Sequence, residues 1–571
     1  MPAAFRQSYL DYDGLTEQLR EWVRRHPEVV RLQSLATTPE GREVWLLTIG
    51  PEPDRRRPAV WIDGNMHAGE LAGSSVALGI AEAAIGLHAG PAEAVPVALA
   101  AHLREHLRDV LFHVCPRISP DGAEAVLRRG GFVRSVPREA GRLAQQMHWA
   151  AQDLDGDGRC RFLRIQDPAG DFVASPAHPG LMLPRRPEDP PPWYRLFIEG
   201  TILNWDGETL PEPAFLQDTT DLNRNFPWSW APEPEQVGAG EFPGSEPESR
   251  AILEFASANP NLFAWLNLHT FGGVFIRPLS AAPDSDMHGG DLAIYRQLAE
   301  WAEEDVGYPT VSGHEEFTYE PGKPLHGDLT DYAYHQRGCL AQVCELWDLF
   351  RRLGQPAPAR FVDHYTALSR EGLEGLARWD REHNAGRVFR DWTPVDHPQL
   401  GAVEVGGHDP LVGLWNPPPE ELDTLCGAMA RYWFRVASLL PRLTIEDTAL
   451  QPMGDGLQEL RVRVANHGYL ATSGLPSAAA LPCNTPLQAE LTTTGCRSLR
   501  PAHGRISLGQ LEGWGRGAGD GSHMPWFQRS RANDRRRTLR WLLAGEGTAT
   551  LRLGNERMGW LEHTVPVTPR R

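Results

Sequence analysis

Cysteine is scarce: there are seven in 571 residues, at positions 115, 160, 339, 344, 426, 483 and 496. Their number is odd and no two form a Cys-x-x-Cys pair, so neither a disulfide framework nor a thiolate zinc site is indicated. No apolar run reaches the roughly 18 residues that a membrane-crossing helix needs. Met1 to Tyr12 lacks the apolar core of a secretory signal. A reducing, cytoplasmic setting is the resulting expectation, with no membrane as partner. Positive charge is in deficit as well. The net charge of −18 argues against nucleic acid or an anionic lipid surface as a partner. No internal repeat or low-complexity tract is present.

Hydrophobic residues make up 41% of the chain and charged residues 23%, which gives ample material for a core. At this length two or three domains are expected. Helical spacing runs from Tyr12 to His26, Leu71 to Ala89, Pro96 to Arg108, Gly289 to Val306 and Glu420 to Leu440. Short continuous apolar strands occur at Ala59 to Ile62, Val110 to Cys115, Leu262 to Leu268 and Cys339 to Leu346. Their alternation with helices predicts an α/β fold with a sheet covered by helices on both faces. A long irregular stretch, about 130–218, interrupts the pattern. Beyond Pro441 the periodicity changes: Leu460 to Ala465, Gln488 to Thr493, Arg537 to Leu543 and Thr548 to Leu553 read as strands of a small all-β sandwich. The expected division is therefore 1–441 and 442–571.

The stretch Ala59-Val-Trp-Ile-Asp-Gly-Asn-Met-His67-Ala-Gly-Glu70 reads as a buried strand, a turn and the start of a helix. His67 and Glu70 thus fall at a strand end, the edge where α/β sheets bind ligands. His-x-x-Glu is weak alone; His102-Leu-Arg-Glu105 has the same spacing but lies in a charged helical run, where it reads as a solvent face. A catalytic zinc takes three protein ligands and leaves a position for water. His269, at the end of the Leu262 to Leu268 strand, is the candidate third ligand. Glu345, at the end of another apolar strand, is the candidate base, since a carboxylate there costs free energy unless it is paired or in use. Asp221-Leu-Asn223-Arg224-Asn225 sets an Arg fork beside an amide, a pairing suited to gripping a carboxylate.

His67-x-x-Glu70, Asp221-x-Asn223-Arg224-Asn225, His269 and Glu345, in that order, resemble the zinc metallocarboxypeptidases of the carboxypeptidase A type over roughly residues 10–385. Ser119-Pro-Asp-Gly122 is similar to that family's Asn-Pro-Asp-Gly turn, with Ser in place of Asn. The resemblance implies a mixed-sheet α/β fold and hydrolysis of the C-terminal peptide bond of peptides bearing a free carboxylate. It implies one Zn²⁺ per chain held by His67, Glu70 and His269, with Glu345 as general base and Asp221 orienting a ligand imidazole. Asn223 and Arg224 would bind the terminal carboxylate, Tyr319 would be the mobile Tyr, and Thr330 would occupy the side-chain preference position. An Arg that polarises the scissile carbonyl is expected within Arg159-Cys-Arg161-Phe-Leu-Arg164, with Arg164 preferred. The alternative is a related zinc deacylase of the succinylglutamate desuccinylase or aspartoacylase type, acting on small N-acyl amino acids; a non-catalytic binding protein on the same scaffold is the other. Asp153-x-Asp155-x-Asp157-Gly resembles the start of a calcium loop, but its twelfth position is Arg164 where a bidentate Glu is needed. An acidic turn that shapes the Arg-bearing strand is the simpler reading of that loop.

Overall fold

The computed structural model describes residues 3–89, 99–130, 133–138, 146–212, 220–320, 322–366, 368–518, 530 and 533–568. An eight-stranded mixed sheet forms its centre. Four of its strands run parallel side by side: Leu111–Cys115, Ala59–Gly64, Leu262–Thr270 and Leu340–Leu346. All are nearly continuous apolar runs, as strands buried on both faces must be. Residues in parallel register point the same way, and this shows which helix covers which face. Val60 and Phe112 are register partners, and Phe112 meets Phe434 of the Leu422–Ala437 helix at 5.4 Å between ring centres. Trp61 is paired with His113 on the other face, where both rings meet Phe255 of the Pro247–Ala258 helix. Helices therefore lie on both faces.

The Leu71–Ala89 helix matches its predicted span. Among the described residues it is the one helix long and apolar enough to cross a bilayer, and 83% of that window is buried inside the protein. Its small residues serve close packing: a Cβ at Gly79 would lie 2.6 Å from Cys426 Cβ of the Leu422–Ala437 helix. The helix expected from Pro96 spans Ala101–Leu107, and residues 96–98 lie outside the described residues. Ser119-Pro-Asp-Gly122 is not a turn: Pro120 opens the helix Pro120–Arg129, where its missing N–H costs nothing.

The stretch expected to be irregular is largely a second sheet. Phe162–Gln166, Phe172–Ala174, Met182–Pro184 and Tyr194–Ile198 join Phe389–His397 and Gly401–His408 in six strands. Its core is Trp149, Leu163, Phe197, Val403 and Val405. The end of the stretch, at 213–219, lies outside the described residues.

The C-terminal all-β unit is one continuous antiparallel sheet. Arg536–Asn555, read from sequence as two strands, is a single strand that pairs first with Leu457–Asn466 and then with Gly559–Val567. It changes partners at Gly545 and Gly547, whose φ of 90° and 151° suit glycine. This unit docks at the beginnings of the parallel strands. Arg557 is fully buried. It donates to Gly338 O at 2.9 Å, Leu262 O at 3.3 Å and Asn484 Oδ1 at 3.0 Å, and lies 4.5 Å over the Phe263 ring. Arg557→Ala should cost about 3 kcal/mol in urea unfolding, because it leaves buried carbonyls without donors. Arg540→Ala, which breaks an exposed pair with Glu459, should cost no more than about 0.5 kcal/mol.

Candidate metal centre and catalytic cleft

The other end of the same parallel strands holds the site. Register sets His269 against Glu345 and Leu268 against Gly64, so three strand ends reach one edge together. The chain then turns through Asn65, held at φ 53°, a left-handed conformation that Asn tolerates. Asn65 Nδ2 bridges the turn by donating to His67 O at 2.7 Å and Ala68 O at 3.2 Å. Helix and strand meet through glycines: a Cβ on Gly64 would sit 2.5 Å from Gly73 backbone. That close approach delivers Glu70 to the sheet edge.

Four acceptor atoms converge there. His67 Nδ1 lies 2.7 Å from Glu70 Oε1, and His269 Nδ1 lies 3.0 Å from both Glu70 Oε2 and His67 Nδ1. The far nitrogens settle the tautomers. His67 Nε2 faces Asp221 Oδ1 at 3.1 Å, and His269 Nε2 faces Asn267 Oδ1 at 2.6 Å. Both far nitrogens donate to these oxygens, so in each neutral imidazole the lone pair lies on Nδ1. Protonating both Nδ1 atoms would instead set two imidazolium N–H groups against each other. A cation resolves the conflict, and two imidazoles with a carboxylate are donors that suit Zn²⁺. Burial alone would raise Glu70, but the two imidazoles outweigh it and hold the carboxylate well below its usual range.

Asp221 is the hub behind the ligands. Its Oδ1 accepts from His67 and from Asn223 N at 2.8 Å, and its Oδ2 accepts from Arg134 Nε at 3.0 Å. Arg134 Nη1 reaches to 3.7 Å from Glu70. A cavity of about 150 Å³ opens in front, lined by His67, Glu70, Arg134, Phe271, Tyr319, Glu345, Tyr365 and Trp415 among others. Glu345 faces it, and among the described residues its carboxylate accepts no hydrogen bond. Burial pushes Glu345 up to about 8; His269 pulls it down and the charge of Glu70 adds to the rise. Tyr319 is at the rim, 48% exposed.

Asn223 and Arg224 sit beside Asp221, next to the residues that line the cavity and close enough for the Arg224 charge to act on Tyr319. Asn223 Oδ1 accepts from Leu329 N at 3.0 Å, and Arg224 Nη1 donates to Asn223 O at 2.7 Å. Thr330 is buried in the Leu329–His335 helix, its hydroxyl without a hydrogen-bond partner. His102 and Glu105 lie on the exposed face of their helix, where Glu105 pairs with Arg442.

Arg164 is not in the site. It belongs to the second sheet, where Nε bonds Glu404 at 2.8 Å and the guanidinium sits 4.3 Å from the Tyr194 ring centre and 4.5 Å from that of Trp392. Arg159 is paired with Asp409, and Arg161 with Asp157. The Arg at the cavity is Arg134. It stands near the start of the stretch expected to be irregular, ahead of the strands of the second sheet, in a loop without pattern; the one sequence signal is that it is an Arg downstream of Pro120-Asp121-Gly122. Tyr365, whose hydroxyl donates to Phe271 O, and Trp415 gave no signal in the sequence.

Asp153, Asp155 and Glu199 come within reach of a common point. Their oxygens already accept loop amides: Gly156 and Gly158 on Asp153, Asp157 on Asp155, Leu154 and Arg161 on Glu199. The loop closes on its own hydrogen bonds and leads into the strand that carries Arg164.

A family profile described as zinc carboxypeptidase matches residues 15–366, and a domain of unknown function matches 442–566. Carboxypeptidase M of Mus musculus is 26% identical over 127 residues, 22% of this chain and 27% of that protein. Carboxypeptidase B of Astacus astacus is 31% identical over 116 residues, 20% of this chain and 34% of that protein. The matched part is thus about a third or less of each relative's own length. The crystal structure of thrombin activatable fibrinolysis inhibitor is similar at 14% identity, over 76% of this chain and 78% of that one, with a TM-score of 0.42.

Proposed function

From the premise that this chain belongs to the zinc carboxypeptidase family, we propose that it is a metallocarboxypeptidase that hydrolyses the C-terminal peptide bond of peptides. Residues 1–441 are its catalytic unit and 442–571 an appended β unit. The observation that carries the reading is the convergence of both Nδ1 atoms and both Glu70 oxygens, faced across the cavity by the uncommitted Glu345. His67, Glu70 and His269 hold one Zn²⁺, which when bound supplies a Lewis acid and an activated water.

The chain's own groups do the rest. Glu345 takes the proton of the attacking water and returns it to the leaving amine. Arg134, anchored on Asp221, offers its remaining N–H groups to the developing oxyanion. Arg224 spends one N–H on Asn223 O, and the others, with the Asn223 amide, receive the substrate carboxylate. Tyr319 covers the bound residue from the rim, and Thr330 contributes to the choice of its side chain. All seven cysteines are free thiols, which suits a reducing, cytoplasmic compartment.

Arg134→Ala should lower kcat by about 10²–10³-fold with little change in KM, as removal of one oxyanion donor does elsewhere. Arg224→Ala should act mainly on KM, raising it by about 10²-fold through loss of the bidentate grip. Steady-state kinetics on hippuryl-amino acids separate the two. The same assay run on N-acyl amino acids tests the class: hydrolysis of these in preference to hippuryl peptides would make the chain a deacylase.

A further inference from the structure

A chain of buried hydrogen bonds runs from His269 into the sheet, away from the cavity. Alternation along the strand puts Trp265, Asn267 and His269 on one face, and register sets Trp61 and Asp63 beside them. Asp63 is fully buried. No Lys or Arg pairs with it among the described residues. Its Oδ2 accepts from Trp61 Nε1 at 2.7 Å and from Trp265 Nε1 at 2.8 Å, and its Oδ1 accepts from Asn267 Nδ2 at 2.5 Å. Asn267 then presents Oδ1 to His269 Nε2 at 2.6 Å. A buried carboxylate with only neutral donors is costly to keep, and two indoles could be satisfied by a neutral acceptor.

We infer that Asp63 is a positioning residue for the metal centre, fixing through Asn267 which nitrogen of His269 is free to bind metal. An amide presents oxygen on one side and N–H on the other, and nothing in its shape chooses between them. An ionised carboxylate only accepts, so Asp63 compels Asn267 to turn its NH₂ inward and its oxygen toward His269. His269 must then carry its proton on Nε2, and Nδ1 keeps the lone pair that faces Glu70. His67 reaches the same state by a direct bond to Asp221; His269 reaches it through an amide. In Asp63→Asn the constraint disappears. The introduced amide can donate to Asn267, which turns over and offers N–H to His269 Nε2. The proton then moves to Nδ1 and the lone pair no longer faces the metal.

The inference rests on His269 being a ligand, and the test separates the two. Zinc affinity of the full chain is measured by chelator competition, with thermal unfolding as the check on folding. Asp63→Asn should weaken zinc binding by about 10–100-fold, the usual cost of losing an outer partner of a ligand. The exchange Asp63→Asn with Asn267→Asp restores the order of donors and acceptors: the amide now on the inner strand position donates to the carboxylate now beside the imidazole, and that carboxylate accepts from His269. It should return affinity to within about threefold of wild type, because the outer partner is again in place. Asn267→Leu, which cuts the relay and leaves Asp63 with both indoles, should lose affinity like Asp63→Asn and serves where that variant fails to fold. Wild-type affinity in Asp63→Asn or Asn267→Leu, or an exchange no better than the single substitution, overturns the inference. His269→Ala runs alongside: zinc retained there overturns the ligand reading instead.

Discussion

Glu345→Gln should lower peptide hydrolysis by about 10⁴-fold, the upper range for loss of a general base, and leave the zinc content of the chain unchanged. The amide has the shape of the carboxylate and cannot take a proton. Glu345 ends the strand Leu340–Leu346, register partner of His269, and faces the cavity without being one of the converging acceptors. Function and stability should part company at this residue. Burial raises Glu345 to about 8 in the metal-free chain, above the usual value for a free Glu. An acid raised on folding opposes folding wherever the unfolded chain ionises it. The penalty is absent below the unfolded value, grows through the window up to about 8, and is full above it. The metal-free Glu345→Gln chain should therefore melt higher than wild type at alkaline pH and no higher at acid pH. Equal melting temperatures throughout would remove the claim that this carboxylate is held at a cost.

His269→Ala should abolish stoichiometric zinc binding and, with it, hydrolysis. The loss should exceed the roughly 10–100-fold that follows removal of an outer hydrogen-bond partner, because a donor atom itself is lost. His269 is buried at the edge where its Nδ1 is 3.0 Å from both His67 Nδ1 and Glu70 Oε2. Without it two of the three ligand residues remain, and Glu70 keeps one imidazole partner instead of two. Metal analysis after dialysis checks the expectation, and zinc at wild-type stoichiometry would remove His269 from the ligand set. Circular dichroism should remain that of wild type, because the parallel strand ends at Thr270 and its packing lies below the site.

The strand, turn and helix around His67 were legible because all their determinants are local: an apolar run, turn residues, then helical spacing. His269 and Glu345 were legible because each ends a continuous apolar strand, and parallel register brings such ends to one edge. Arg164 was misplaced for a physical reason of the same kind. The Arg at the site, Arg134, is separated from Asp221 by a sheet of its own, so sequence order no longer tracks position. Two strands of that sheet, Phe172–Ala174 and Met182–Pro184, are three residues long, too short to show alternation. Arg536–Asn555 read as two strands because Gly545 and Gly547 look like a turn; here they let one strand change partners. Asp63 reads as turn chemistry in the sequence, since only Trp61 is near it in the chain and its other donors, Trp265 and Asn267, come from the neighbouring strand. Arg557 is hidden in the same way. It lies in the appended β unit, while two of its acceptors lie in the central sheet region.

Carboxypeptidase action is tested most directly with one peptide in two forms, with a free C-terminal carboxylate and with a C-terminal amide, incubated with the zinc-loaded chain and followed by mass spectrometry. Single residues should be lost from the C-terminus of the acid, the amide should stay intact, and neither form should react with Glu345→Gln. Cleavage at internal bonds, equal cleavage of both forms, or undiminished cleavage by Glu345→Gln would contradict this assignment.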